Sequence, residues 1–242
     1  MGLSIKSTNN IALGECGRLP LVTEYLLKCI KYWCKLLYMS DDRTPKNCYI
    51  MLKRLDDLGR RNWATNVKEL LFKYGFGHAW IYQNLGDVNL FISIFKQRLH
   101  DIARQNWLSE INQSPKCCTY KEFKTLLNPE RYLSLSIPFK FKKMYAKFRC
   151  SNHNYAIEIG RHNNIPRSER LCNHCLERLN THVVEDEYHV MFICPRYDEP
   201  RNRLLLSWYK GSRNRINFIN LMTSNNDLVL KQLCYYVYEI MK

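Results

Sequence analysis

The chain has 242 residues, 46% hydrophobic and 13% aromatic, which is enough apolar material for one or two packed domains and excludes wholesale disorder. A formal charge of +15 favours a polyanionic partner, either nucleic acid or an acidic membrane surface. No run of about 18 apolar residues occurs, so no membrane-spanning helix is expected.

From the N-terminus, Met1 to Lys6 resembles a myristoylation start but has Lys6 where Ser or Thr is required. After Pro20, the residues Leu26, Leu27, Ile30, Trp33, Cys34 and Leu37 recur at helical spacing, with Lys28, Lys31 and Lys35 on the opposite face. One long amphipathic helix is expected there, and its lysines are an ordinary solvated face. Further helices are predicted for Cys48 to Leu58, Trp63 to Tyr74, Val88 to Ile111, Tyr120 to Leu127, Phe139 to Arg149, Arg201 to Tyr209 and Asp227 to Met241. Gly75-Phe76-Gly77 breaks the helix begun at Trp63, and Asp87 suits the N-cap of the next. The pattern lapses around Asn128-Pro129 and from Ser134 to Pro138, which places a boundary between a helical region, residues 1–134, and a second part, residues 135–242. The one strand-like alternation is Tyr155 to Ile159.

The most informative stretch lies in that second part. Cys172, Cys175, His189 and Cys194 form a Cys-x2-Cys-x13-His-x4-Cys series suited to one tetrahedral zinc ion. Two residues between paired cysteines let a tight turn aim both sulfurs at one ion. Glu185, Asp186 and Glu187 favour a helix start, so Tyr188 to Ile193 reads as a short helix carrying His189, and Pro195 turns the chain out of it at Cys194. Four protein ligands with no open position are the pattern of a structural site. A redox pair would need a strand-helix-strand setting, which the polar loop around Cys172 lacks. A disulfide framework is disfavoured by the odd total of 11 cysteines and by the missing signal peptide, so a reducing compartment, nucleus or cytoplasm, is expected. His174 and His182 lie outside the spacing and read as solvent-facing.

Cationic density peaks just before this series. Between Ile137 and Leu171 eight Lys and Arg stand against two Glu, a surplus able to neutralise several phosphates. Phe141, Met144, Tyr145 and Phe148 form an apolar helical face, and Lys140, Lys143 and Lys147 line another, with Lys142 and Arg149 beside them. These cations and Arg161 are the candidate nucleic-acid contacts, against the blander alternative of a solvated lysine face. The segment Cys172 to Glu199 is acidic, with six Asp and Glu against two Arg, so zinc is expected to build a scaffold while the basic helix makes contact.

Signals of catalysis are weak. Tyr38-Met39-Ser40-Asp41-Asp42 has one residue too many for the aromatic-x-Asp-Asp turn of polymerases and ends a helix instead of joining two strands. Asp56-Asp57 lies in a helical pattern, and Gly75-Phe76-Gly77 lacks the third glycine of a phosphate loop. Cys150 and His153 form a Cys-x2-His pair with no second pair, which reads as a core cysteine and a polar surface histidine.

Several stretches together resemble the C-terminal tail of reverse transcriptases from non-LTR (long interspersed) retrotransposons: Gly17-Arg18-Leu19-Pro20-Leu21 before a Tyr-Trp helix, Phe148 to His153, Ile157 to Arg161, and above all Leu171-Cys172 and Glu185 to His189 through Cys194-Pro195. The resemblance is loose before Ser136 and specific from Phe139 to Arg201. It implies zinc ligands at Cys172, Cys175, His189 and Cys194, and a role in holding element RNA or target DNA. The polymerase's fingers, palm and catalytic acids have no counterpart, and the 48 residues after Cys194 are too few for an endonuclease domain, so no enzymatic activity is expected. The expected fold is mainly α, a helical N-terminal part followed by a small zinc-stabilised helical module. The expected function is non-catalytic binding of RNA or DNA. The alternative is a structural or protein-interaction remnant in which zinc only stabilises the fold.

Overall fold

A computed structural model describes residues 8–205 and 212–242. The protein is mainly α. In chain order the helices are α1 (Asn9–Cys16), α2 (Leu21–Leu37), α3 (Thr44–Asp57), α4 (Trp63–Lys73), α5 (Gly77–Tyr82), α6 (Val88–Gln113), α7 (Tyr120–Phe123), α8 (Phe139–Arg149), α9 (Ala156–His162), α10 (Asn173–Leu179), α11 (Asp198–Leu204), α12 (Arg215–Met222) and α13 (Asp227–Ile240). Among the described residues the only β pairing is an isolated antiparallel bridge, Leu171 with Val184. No helix among them is long and apolar enough to cross a membrane.

The chain forms two compact units, one from Leu19–Asn106 and one from the residues up to Arg18 with Trp107–Lys242. The division falls inside α6, while the boundary expected near residue 134 lies within the second of these units.

In the Leu19–Asn106 unit the predicted face of α2 is the buried one: Leu27, Ile30, Trp33 and Cys34 enter a core with Tyr49, Phe76, Trp80, Phe91 and Phe95. Trp33 stacks on Trp80 with ring centroids 6.2 Å apart, and its indole N–H donates to Tyr49 Oη at 3.0 Å, so the large ring buries without an orphan donor. Asn62 caps α4 through Ala64 N and Asp87 caps α6 through Asn89 N and Leu90 N, which fix both helix starts.

The other unit is organised around α8 and α13, where Phe141 meets Tyr235 and Tyr238 edge-on at 4.5 and 4.8 Å. Gly17, in the left-handed conformation at φ 60°, ends α1 where a Cβ would lie 2.2 Å from Pro129 N, a close approach that only glycine permits. The predicted α7 stops early, at Phe123, because Lys124 leaves helical geometry and turns its buried amine to the Asn128 carbonyl and Glu130. Tyr155 to Ile159 is not a strand. Ala156 N donates to Glu185 Oε2 at 2.7 Å and Ile157 N to the Glu185 carbonyl at 3.2 Å, so a residue far along the chain satisfies the first amides of a helix, α9. Of the helix expected for Arg201 to Tyr209, the chain up to Leu204 belongs to α11, and residues 206–209 lie outside the described residues.

Candidate metal centre and the basic face

Cys172, Cys175, His189 and Cys194 are all buried, and their ligand atoms lie within 4.8 Å of one another. The four residues could hold a metal ion. Cys172 Sγ is 3.8 Å from Cys194 Sγ, Cys175 Sγ is 3.8 Å from Cys194 Sγ, and Cys175 Sγ is 3.4 Å from His189 Nε2.

Each ligand has an identifiable support. The bridge between Leu171 and Val184 sets Cys172, whose N–H donates to the Val183 carbonyl at 2.9 Å, at the entrance of α10. Cys175 follows in the first turn of that helix, which closes at Asn180 in left-handed geometry. Asp186 Oδ1 accepts from His189 N at 2.9 Å, while its other oxygen pairs with Arg215 at 3.2 Å, so the acidic run caps the turn as expected. His189–Ile193 is a π-turn, not an α-helix, and its wider pitch lets Cys194 N reach the His189 carbonyl at 2.8 Å. Carbonyls released by that turn are satisfied by Arg201, which is 2% exposed and donates to Met191 O at 2.7 Å, Val190 O at 3.2 Å and Cys194 O at 2.9 Å.

Burial raises the Cys172 thiol and pushes Cys194 up to about 12, opposed by backbone N–H groups of Cys175 and Arg196 that point at the two sulfurs and favour thiolate. Burial also lowers His189, which favours the neutral imidazole that a metal ligand requires. A cation bound there would have to displace protons from the thiols and would then stabilise the resulting charge. His174 is half-buried and His182 exposed, and neither joins the cluster.

A second polar knot, which the sequence did not suggest, sits beside the first. Glu187 is 2% exposed and accepts from Ser151 Oγ and Thr119 Oγ1 at 2.6 Å each, with His153 Nε2 at 3.0 Å. Burial alone would raise this carboxyl, but His153, Ser151 and Thr119 outweigh it and bring it down to about 2. His153 is therefore an interior residue, not the surface histidine expected, and Cys150 is a buried core thiol. Ser151 and His153 both meet the same oxygen, Glu187 Oε1.

The basic helix α8 forms over the predicted residues and buries Tyr145, Ala146 and Phe148. Lys140 is exposed over the rings of Phe141 and Tyr238, and Lys143 and Lys147 are half-buried on its outer side. Lys142 is partly withdrawn, its amine donating to Leu133 O at 3.3 Å and Leu135 O at 3.1 Å. Arg161 pairs with Glu158 at 2.8 Å one turn away in α9. Arg149 must be removed from the contact set. It is 1% exposed, paired with Glu15 at 3.0 Å and Glu130 at 2.8 Å, and it donates to Met222 O at 2.6 Å. Burial would lower its pKa, yet the two carboxylates hold it raised, and its guanidinium lies over Phe123, Tyr132 and Tyr145. Its position one residue after Phe148 and four after Tyr145 already put it at the edge of the buried face. Its partner Glu15 could not be anticipated at that sequence distance.

Compared with known proteins, the chain matches no family model, no curated protein and no solved structure.

Proposed function

We propose that the protein is a non-catalytic nucleic-acid-binding module, stabilised by one zinc ion and akin to the tail of non-LTR retrotransposon reverse transcriptases. Zinc is supported by arithmetic. Zinc–sulfur bonds of about 2.3 Å and a zinc–nitrogen bond of about 2.0–2.1 Å at tetrahedral angles place two sulfurs about 3.75 Å apart and a sulfur and nitrogen about 3.5 Å apart. Three of the six separations, 3.8, 3.8 and 3.4 Å, agree, and the whole set lies within 4.8 Å, so a bound ion would draw the remaining pairs slightly closer. Three thiolates and an imidazole leave no position for a reacting water, so the ion's part is to fold the module.

The observation that carries the nucleic-acid reading is the division of α8 into a buried face that anchors it and an outer row of Lys140, Lys143 and Lys147, in a chain of charge +15. Such a row neutralises phosphates without reading sequence, so binding should be salt-sensitive and tolerant of sequence. Reversing the three lysines to Glu tests it: retention on RNA and DNA should be lost while the helical circular dichroism spectrum is kept, and unchanged retention refutes the assignment.

A protein-interaction role is favoured by a different observation. Leu21, Val22 and Tyr25 on α2 and Ile81 and Tyr82 on α5 are large apolar side chains more than half exposed. If that role is the whole function, pull-down at physiological salt recovers proteins and no nucleic acid, with or without the three lysines.

A further inference from the structure

Beside the metal cluster, and within the same compact unit, is an open cleft of about 750 Å³ walled by the end of α8, the turn Asn152 to Ala156, α9, the chain at Arg170 to His174, and the last residues of the protein. Its rim carries Lys147, Arg196 and Lys242, none of them ion-paired to a carboxylate among the described residues. Arg196 and Lys242 lie only over the rings of Tyr197 and Tyr238. Asn152, Asn154 and Asn173 are among the lining residues, together with the apolar Met144, Ile159 and Met241. Asn152 Nδ2 is shielded from solvent with no hydrogen-bond acceptor among the described residues. An unmet buried amide donor is costly, and rotation of the half-buried Asn152 side chain toward the cleft would let an acceptor brought by a ligand meet it. Two carboxylates, Glu169 and Glu185, also line the cleft, and Glu185 is occupied by the amide of Ala156 at 2.7 Å.

We propose that this cleft receives unpaired nucleotides of an RNA or DNA strand, a site that rests on the nucleic-acid reading above and names the form of nucleic acid it takes. A duplex keeps its base faces within its own stack and its pairing edges occupied, leaving phosphates, sugars and groove edges but no flat face or pairing edge for a concave site. An unpaired nucleotide offers three things that match this lining: a phosphate for Lys147, Arg196 or Lys242, acceptor edges for the asparagine amides, and a flat face for the apolar wall and for the half-buried His174 ring. The metal site positions much of the lining. Arg170, Leu171, Asn173 and His174 lie within two residues of Cys172, and Arg196 within two of Cys194, so holding the ligands in place holds one whole wall. Arg170 is further fixed across Gly160, where a Cβ would come 2.5 Å from its Cγ, with its guanidinium donating to Ile157 O at 3.0 Å and Ile165 O at 2.9 Å.

The test uses the full zinc-loaded chain and fluorescence anisotropy with labelled single strands of about 12 nucleotides, RNA and DNA, and a DNA duplex of the same length. The wild type should bind single strands more tightly than the duplex. The double variant Arg196→Glu with Lys242→Glu, both exposed positions, should weaken single-strand binding by about tenfold or more while changing duplex binding less than about threefold, because Lys140 and Lys143 lie outside the cleft. Asn152→Ala should weaken single-strand binding alone. Equal loss on both probes, or single-strand binding that all these variants leave unchanged, overturns the cleft and leaves the nucleic-acid reading standing. A wild type that binds neither probe at low salt overturns both.

Discussion

Replacing Glu187 by Gln removes one charge from the knot that joins the turn after α8 to the metal module, without changing its size. The wild-type carboxylate accepts from Ser151, Thr119 and His153, whereas the amide keeps one acceptor oxygen and sets an N–H2 group against one of those donors. The lowering of this carboxyl from 4.5 to about 2 corresponds to about 3 kcal/mol of preference for the charged form, and the group is fully buried, so solvent screens little of it. Loss of one or two charge-assisted hydrogen bonds, at about 1.5–3 kcal/mol each, leads to the same order, about 2–4 kcal/mol. Because the folded pKa is depressed, this contribution is present above about 4.5 and is lost as the pH falls through about 2. At pH 7 the urea midpoint of the unit containing α8 and α13, followed by hydrogen exchange of peptides from those helices, should fall by about 1–3 M. A fall worth less than about 1 kcal/mol would refute the claim that this carboxylate holds the two segments together.

Four further outcomes are expected. Cys172→Ser should cost metal stoichiometry and the protection of amides in residues 171–197, measured by metal analysis and hydrogen exchange on one sample. Metal affinity should rise with pH, about a hundredfold or more per unit near neutrality, since at least the raised thiols of Cys172 and Cys194 must each lose a proton; a competition titration against a chelator at several pH values reads the slope. Arg201→Met should remove the guanidinium from the carbonyls of Val190, Met191 and Cys194, leaving only the longer bonds from Tyr236 Oη and Tyr197 N, and lower metal affinity about 10–100-fold by the same titration. Arg149→Met should destabilise its unit by about 3–5 kcal/mol in urea denaturation by stranding Glu15 in the core, yet leave polynucleotide affinity of the folded protein unchanged.

How much of this the sequence shows depends on the reach of each signal. Local periodicity was sufficient for α2, α4, α8 and α13, because their apolar stripes are long and uninterrupted. The cluster of Cys172, Cys175, His189 and Cys194, which could hold a metal ion, is equally legible, since such spacing is a local property of the turns that present the residues. The five residues Tyr155 to Ile159 read as a strand because a stretch so short satisfies both periods, and the cap that makes it helical comes from Glu185. The interior roles of Arg149, His153 and Glu187 are invisible for the same reason: their charged partners are 19 to 134 residues away, and a charged side chain gives no local sign of whether it meets water or a buried counter-charge. Sequence alone therefore adds Arg149 to the basic face, and it hides Arg196, which lies two residues from Cys194 and lines the cleft, within an acidic segment.

The central claim joins a folded zinc module to phosphate binding, and one experiment addresses both: polynucleotide affinity of the purified protein across a salt series, with zinc content determined on the same sample. The account predicts one zinc per chain and an affinity that falls about a hundredfold between 50 and 200 mM salt, as about four phosphate contacts require. Stoichiometric zinc with no polynucleotide binding even at low salt would contradict it, leaving a metal-stabilised scaffold whose partner is a protein.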